Sequence, residues 1–300
     1  MISRQNHFKI ILPIKNLRGH KNFPKEFYRM SASSASAALP SAQEAIPALL
    51  EKHGGLIYNL GQRMCGSHEA AQDLVQETFM RAFKSWHQFE GRSDPATWLY
   101  RIAVRACQRL KRPRSGQPQR MLALNELLPE SEQEIVTLAE TAETPLEEVM
   151  QAEAYAQVEH ALAQLPLEFR LALVLKEIAD FSVAEVAQIL NLKEATVKTR
   201  VHRGRLMLRK ILAQKLPKRA APPHAHEKRA CLDLLHAKQQ ALDHGVDFPM
   251  PPNELCEHCR ALFATLDLAH EVCMHMRHAE LPEAVRAMLL EEFHAEDNRR

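Results

Sequence analysis

Glycine is scarce in this sequence, 9 residues in 300, and aromatic residues make up only 6% of it. Sheet proteins built on tight turns need more of both, so the shortage argues for helices. Long apolar runs are missing too: no stretch approaches the roughly eighteen residues of a membrane span. The run Phe8–Ile14 is short and is followed by no small-residue cleavage site, so no signal peptide and no membrane partner are expected. There is no glycine-rich phosphate loop and no nucleophile in a recognisable setting, which speaks against an enzyme. Six cysteines in 300 residues make no disulfide framework. Four of them crowd into the last seventy residues, a pattern that reads as a metal or redox site in a reducing compartment and places the protein in the cytoplasm.

Basic residues are also unevenly absent. Between Arg120 and Arg170 there is no Lys or Arg, while Glu126, Glu130, Glu132, Glu134, Glu140, Glu143, Glu147, Glu148, Glu153, Glu159 and Glu168 are all acidic. From Lys193 to Arg219, in contrast, ten Lys and Arg face a single acid, Glu194. The net charge of +2 therefore averages over a strong asymmetry. It implies one polyanion-binding face and other surfaces made for different partners.

The chain divides by composition. Residues 1–41 end in the Ser/Ala tract Ser31–Ala38 and read as a flexible extension, with Met30 as a second candidate start. Residues 42–112 are helical in pattern, 113–145 form an acidic linker rich in loop residues, and 146–216 are helical again. After the break Ala221-Pro222-Pro223, residues 221–300 form a small Cys/His-rich helical unit that holds nine of the sixteen His. The expected fold is all-α, with two helical domains on a flexible acidic linker and a small third domain.

In the first block, Val75, Phe79, Ala82, Phe83 and Trp86 fall on one helical face, and Asp73, Glu77, Met80 and Lys84 on another. Periodicity alone fits a core helix with a solvated side. The next helix starts at Asp94-Pro95, an N-cap followed by a first-turn proline. Arg101, Arg105, Gln108 and Arg112 form a stripe suited to phosphates, and Trp98 and Tyr100 offer flat faces on which unpaired bases can stack. In the second block Ser182-Val183-Ala184-Glu185 is a capping box. Asn191 tolerates the left-handed turn that follows, and Val197 and Val201 face inward from the next helix. This is a helix-turn-helix, whose second helix presents Thr196, Lys198, Thr199, Arg200, His202, Arg203 and Arg205 to a major groove. Gly204 inside that helix costs about 1 kcal/mol relative to Ala and implies close packing.

Residues 73–91 (DLVQETFMRAFKSWHQFEG), 95–112 (PATWLYRIAVRACQRLKR) and 165–210 together resemble the extracytoplasmic-function sigma factors of bacterial RNA polymerase. The resemblance covers about residues 45–215 and implies a protein that binds core RNA polymerase and promoter DNA. By position it implies polymerase contacts at Asp73, Gln76, Glu77 and Arg81. It implies −10 element contacts at Trp98, Arg101 and Arg105, and −35 element contacts at Thr196, Lys198, Thr199, Arg200 and Arg203. Where the family often has Asn and Asp, this chain has Arg105 and Arg109, which bears on the preferred −10 base. A separate anti-sigma factor is a further partner within the family's range. The alternative is a helix-turn-helix metal or redox sensor that regulates transcription without joining polymerase.

The C-terminal unit carries Cys256-Glu257-His258-Cys259, with Cys231 before it and Cys273 after. Two thiolates at that spacing chelate one tetrahedral ion, and more distant ligands staple helices together, so zinc held by Cys231, Cys256, Cys259 and Cys273 is the expected site. His258, His270 and His236 are substitutes for one ligand, and a redox dithiol or ordinary buried cysteines remain open. The unit vaguely resembles zinc-binding anti-sigma domains, which carry a His four residues before the Cys pair; here that position is Pro252. Cys65 and Cys107 read as core residues. An acidic domain tethered behind a basic DNA-reading helix is expected to fold back, mask it and regulate the chain.

Overall fold

The computed structural model describes residues 39–110, 127, 134–137, 158–214, 216–222, 228–277 and 280–298. The N-terminal extension with Met30, most of the acidic linker and Arg112 lie outside them.

Three helices make the first body: α1 (Ala42–Cys65), α2 (His68–Ser85) and α3 (Pro95–Leu110). Each end is set by a local device. The Glu44 carboxylate accepts from the Ser41 backbone N–H at the start of α1, and Gly66, at φ 82°, ends it with its N–H on the Gln62 carbonyl. Asp94 caps α3 as expected, its Oδ1 accepting from the Ala96 N–H at 2.8 Å. Phe79, Leu99, Ala103 and Ala106 meet between these helices and are fully buried.

The second body begins with a helical stretch at 158–164 and continues through α4 (Leu167–Leu173), which runs into a π-helical segment, Val174–Ile178. Then come α5 (Val183–Leu190) and α6 (Glu194–Ala213). The helix-turn-helix is built as its residues dictate. Ser182 Oγ accepts from the Glu185 N–H at 3.2 Å, the Glu185 carboxylate accepts from the Ser182 N–H at 2.7 Å, and Asn191 turns the chain at φ 54°. Gly204 is explained by proximity: a Cβ there would lie 3.4 Å from the Phe169 carbonyl and 3.6 Å from Leu173 Cβ, where α6 crosses α4.

Within the acidic stretch, Leu127 is fully buried and β1 (Glu134–Val136) pairs antiparallel with β2 (Lys218–Ala220), Ile135 opposite Arg219. Three further helices complete the chain: α7 (Lys228–His244), α8 (Glu257–His275) and α9 (Glu283–Asp297). They join the two bodies rather than standing apart. α8 packs on α6 and on the π segment, and α9 packs on α1 and α2. The bodies also touch directly through α3 and α5. Among the described residues no helix is long and apolar enough to cross a membrane.

Candidate functional site

On α2, Asp73 and Arg81 are exposed, while Gln76 and Glu77 are half-buried. Gln76 donates from Nε2 to Glu292 Oε1 of α9 at 2.7 Å. Glu77 pairs with Arg109 of α3 and, at 3.7 Å, with Arg81. Nearly two turns further on, the Phe83 ring stacks on Phe293 of α9 at 5.1 Å with 3° between the planes, and both are almost wholly buried. Lys84 meets Glu296 at 3.3 Å. One face of α2 is thus covered by α9.

On α3, Trp98 is half-buried in an aromatic group with Trp86 and Phe89. Arg101 is half-buried and Arg105 exposed. Tyr100, read from the sequence as a base-stacking residue, is instead fully buried: Phe181 of the second body meets it edge-on at 4.6 Å and His53 of α1 at 6.0 Å. Its hydroxyl is buried without a hydrogen-bond partner.

On α6, Lys198 and Thr199 are exposed, Thr196 and Arg203 half-buried, and Arg200 pairs with Glu168 at 2.8 Å. The second half of the helix is different. Arg205 is 4% exposed and Arg209 2%. The second half of α6 is therefore covered, while Lys198 and Thr199 near its start are exposed.

What buries Arg205 is an ionic network linking four elements. Glu177, on the π segment, accepts from Arg205 Nε at 3.0 Å and lies 2.5 Å from His270 Nδ1 of α8. Arg205 Nη1 donates to Asp243 Oδ1 at 2.7 Å and Gln239 Oε1 at 3.0 Å, both on α7. Asp243 Oδ2 also meets His202 Nε2 at 2.8 Å. Arg277 donates from Nε to the Glu177 carbonyl at 2.8 Å and pairs with Asp180 at 3.0 Å. Burial pushes the Glu177 carboxyl up, but Arg205 and His270 outweigh it and hold the carboxyl down at about 2. Asp243 is likewise depressed, its burial outweighed by His202 and Arg205. Sequence reading missed this network. The available signal was Glu177, set beside Lys176 in the otherwise apolar stretch Leu171–Ile178, where a buried charge must find a partner.

Of the expected metal ligands, Cys231, Cys256 and Cys259 converge, their sulfurs all within 4.8 Å of one another and all buried. Cys273 does not join them. It lies fourteen residues along the unbroken helix α8 from Cys259, about 21 Å at 1.5 Å per residue. There burial first, then Glu177, push its thiol up to about 12, against the pull of Arg63, Arg205 and Arg277. His270 is committed to Glu177, and His236 lies 2.9 Å from Gln240. His258 is buried on α8 outside the converged set. Cys65 and Cys107 form a separate contact, whose hydrogen bond, with burial, raises the Cys107 thiol.

A basic helix-turn-helix, a three-helix body with a basic stripe on α3 and a third helical unit across both define a promoter-recognition protein. Residues 49–116 match the model of Sigma-70 region 2, and residues 155–208 match that of Sigma-70, region 4. The chain is 33% identical over 170 residues to the ECF RNA polymerase sigma factor SigW of Bacillus subtilis (strain 168), covering 57% of this chain and 90% of that one. It is 36% identical over 188 residues to the ECF RNA polymerase sigma factor SigE of Mycolicibacterium smegmatis, covering 61% of this chain and 66% of that one. Among solved structures, CnrH in complex with the cytosolic domain of CnrY matches at a TM-score of 0.41 and 22% identity, over 57% of this chain and 90% of that one.

This chain belongs to the extracytoplasmic-function sigma factors. It is a sigma factor that binds core RNA polymerase and directs transcription initiation at promoters. The three-cysteine cluster is able to hold a metal ion.

Proposed function

We propose that this sigma factor holds itself inactive, its own C-terminal helices occupying the surface of α2 that docks on polymerase. The observation that carries the reading is α9 lying along α2, with Phe293 stacked on Phe83 and Glu292 taking the Gln76 amide. Gln76 belongs to the set, with Asp73, Glu77 and Arg81, that we assign to polymerase contact. Trp98, Arg101 and Arg105 are assigned to the −10 strand, and Thr196, Lys198, Thr199, Arg200 and Arg203 to the −35 duplex. The protein acts by binding alone, in the cytoplasm, and has no active site.

Reading two promoter elements requires the two bodies to part. Elements some 25 base pairs apart are separated by roughly 85 Å of duplex axis at 3.4 Å per pair. In the closed form Tyr100 and Phe181 are in ring contact across the two bodies. Inhibition thus acts on polymerase docking and on separation, while Lys198 and Thr199 stay exposed. The domain limits follow the same division: 42–112 for the first body, 146–216 for the second and 221–300 for the inhibitor.

The cysteines join α7 to α8 around a metal ion. Zinc, the ion expected from the Cys pair, closes its shell with four ligands in structural sites. Cys273 lies too far along α8 to be the fourth, and no other Cys, His, Asp or Glu among the described residues joins the three. Zinc fits this set incompletely.

The test is transcription in vitro with core polymerase on a promoter library, comparing the full chain with a truncation after Leu216. Promoter-specific transcripts that rise on truncation are expected. Equal transcription from both forms counts against self-inhibition. No polymerase-dependent transcript from either removes the sigma assignment for this chain.

A further inference from the structure

We infer that the closed chain binds duplex DNA before it meets polymerase, through a phosphate seat that α7 of the C-terminal unit builds jointly with α6. The seat rests on the assignment of α6 to the −35 duplex and adds the C-terminal unit to that contact.

Two rows of side chains face one cleft. On α6, Lys198 and His202 stand one turn apart. On α7, His236, Gln240 and His244 follow at four-residue intervals, so each row shares a helix face. Both rows line a cavity of about 350 Å³, with Lys176 and the start of α5 at Ser182 in its wall. The His202 and His236 rings meet edge to face across the two helices, 6.2 Å apart. The α7 row is about 12 Å long at 1.5 Å per residue, close to the roughly 12 Å width of a major groove.

The groups on this wall suit a phosphate. Lys176 and Lys198 are cationic, and an imidazole carries an N–H donor even when neutral. Gln240 Nε2 lies 2.9 Å from His236 Nε2; with the amide donating to that nitrogen, the ring keeps its proton on Nδ1. Two acids also line the cleft. Asp243 is committed, its Oδ1 to Arg205 at 2.7 Å and its Oδ2 to His202 at 2.8 Å. Glu194 sits in the first turn of α6, where it complements the helix dipole.

Placement selects duplex DNA among the carriers of phosphate. Lys198 belongs at once to the cleft and to the −35 set, and Thr199 beside it is exposed, as are His236, Gln240 and His244. A recognition helix seated in a major groove is flanked by phosphate strands, and contacts to them position the protein without reading sequence. The α7 row is held in place for such a contact. Besides Asp243, Gln239 fastens α7 to α6, donating from Nε2 to the His202 carbonyl at 3.3 Å and accepting from Arg205 at 3.0 Å. The covering of α2 by α9 and the seat between α6 and α7 are thus compatible in one closed form, which waits on duplex DNA for polymerase.

The full chain, without polymerase, is put through in-vitro selection on a random pool of short duplexes, and binding of a selected, fluorescein-labelled duplex is followed by anisotropy across a salt series. The wild type is expected to bind, more weakly as salt rises. His236→Ala/His244→Ala should weaken binding about tenfold, equally for selected and unselected duplexes, with the thermal midpoint unchanged because both side chains are exposed. His236→Lys/His244→Lys should tighten binding and steepen its salt dependence. Lys198→Ala separates the two assignments. If it weakens binding while the histidine variants bind as the wild type does, the seat is overturned and α6 keeps its −35 role; if neither change matters, the −35 assignment falls as well. Tighter binding by the alanine variant would make α7 an obstruction and overturn the seat, as would a wild type that binds no duplex. Inorganic pyrophosphate held by the wild type and lost by the alanine variant, with duplex binding unchanged, would give the cleft to a free anion instead of DNA.

Discussion

Single residues set the acid response of the closed form. His53 faces the edge of Tyr100 inside the first body, and its Nδ1 is buried without a hydrogen-bond partner. Burial, with Lys52 adding, lowers its pKa from 6.5 to about 4. Between those values the unfolded chain binds a proton that the folded chain refuses. Its contribution is therefore at full strength above pH 6.5 and declines as pH falls toward 4. Glu177 acts in a lower window: its folded pKa of about 2 gives stability above 4.5 that is lost as pH falls toward 2. Thermal melts from pH 7.5 to 4.5 should show a declining midpoint that His53→Leu flattens; an unchanged slope would remove His53 as its source. Tyr100→Phe should raise stability by about 1 kcal/mol, since it deletes a buried hydroxyl that has no partner. A lower melting midpoint would contradict that. Tyr100 also marks a limit of sequence reading. Its place on α3 was legible, but its burial depends on Phe181, eighty-one residues away in sequence.

At the scale of elements, the helix-turn-helix was legible because its instructions are local: a capping box at Ser182, a left-handed turn at Asn191 and inward valines at 197 and 201. The start of α3 at Asp94-Pro95 was legible for the same reason. Strands of three residues carry too few alternations to be read, which hid β1 and β2. The π segment was hidden because a residue at 270 completes the environment of Glu177. Two elements carry the strongest expectations. Phe293→Ala should cost about 3 kcal/mol of the α9–α2 contact. Core polymerase should then bind more tightly in a pull-down or fluorescence titration, and equal binding would mean that α9 does not compete. Glu177→Ala leaves Arg205 buried with half its carboxylate partners and should cost about 3 kcal/mol. Faster amide exchange along α6 and α8 would register that loss, and unchanged exchange would refute it.

The whole molecule was the least legible scale. Composition separated a basic block from acidic ones, and cysteine spacing marked the last domain, but nothing local told which surfaces meet. The closing contacts join residues far apart in sequence, such as Asn59 with the Met276 carbonyl at 2.5 Å and Arg286 with Glu51 at 2.7 Å. The expected fourth cysteine failed for a geometric reason: the helix that carries Cys259 and Cys273 is continuous, so its length holds them apart. If these contacts hold the bodies together, small-angle scattering should report a larger radius for the Asn59→Ala/Arg286→Ala double variant than for the wild type. An identical radius would mean that the direct α3–α5 contact suffices.

Under the proposed self-inhibition, the presence of α9 and α2 in one chain fixes the ratio of inhibitor to target at one. A tethered partner presents a local concentration on the order of millimolar, whatever the abundance of the protein in the cell. Making more of this sigma factor adds inhibitor and target together and leaves the closed fraction unchanged. Output is then governed by whatever competes for α2, free core polymerase first of all. Such a switch reports the supply of unoccupied polymerase rather than its own copy number.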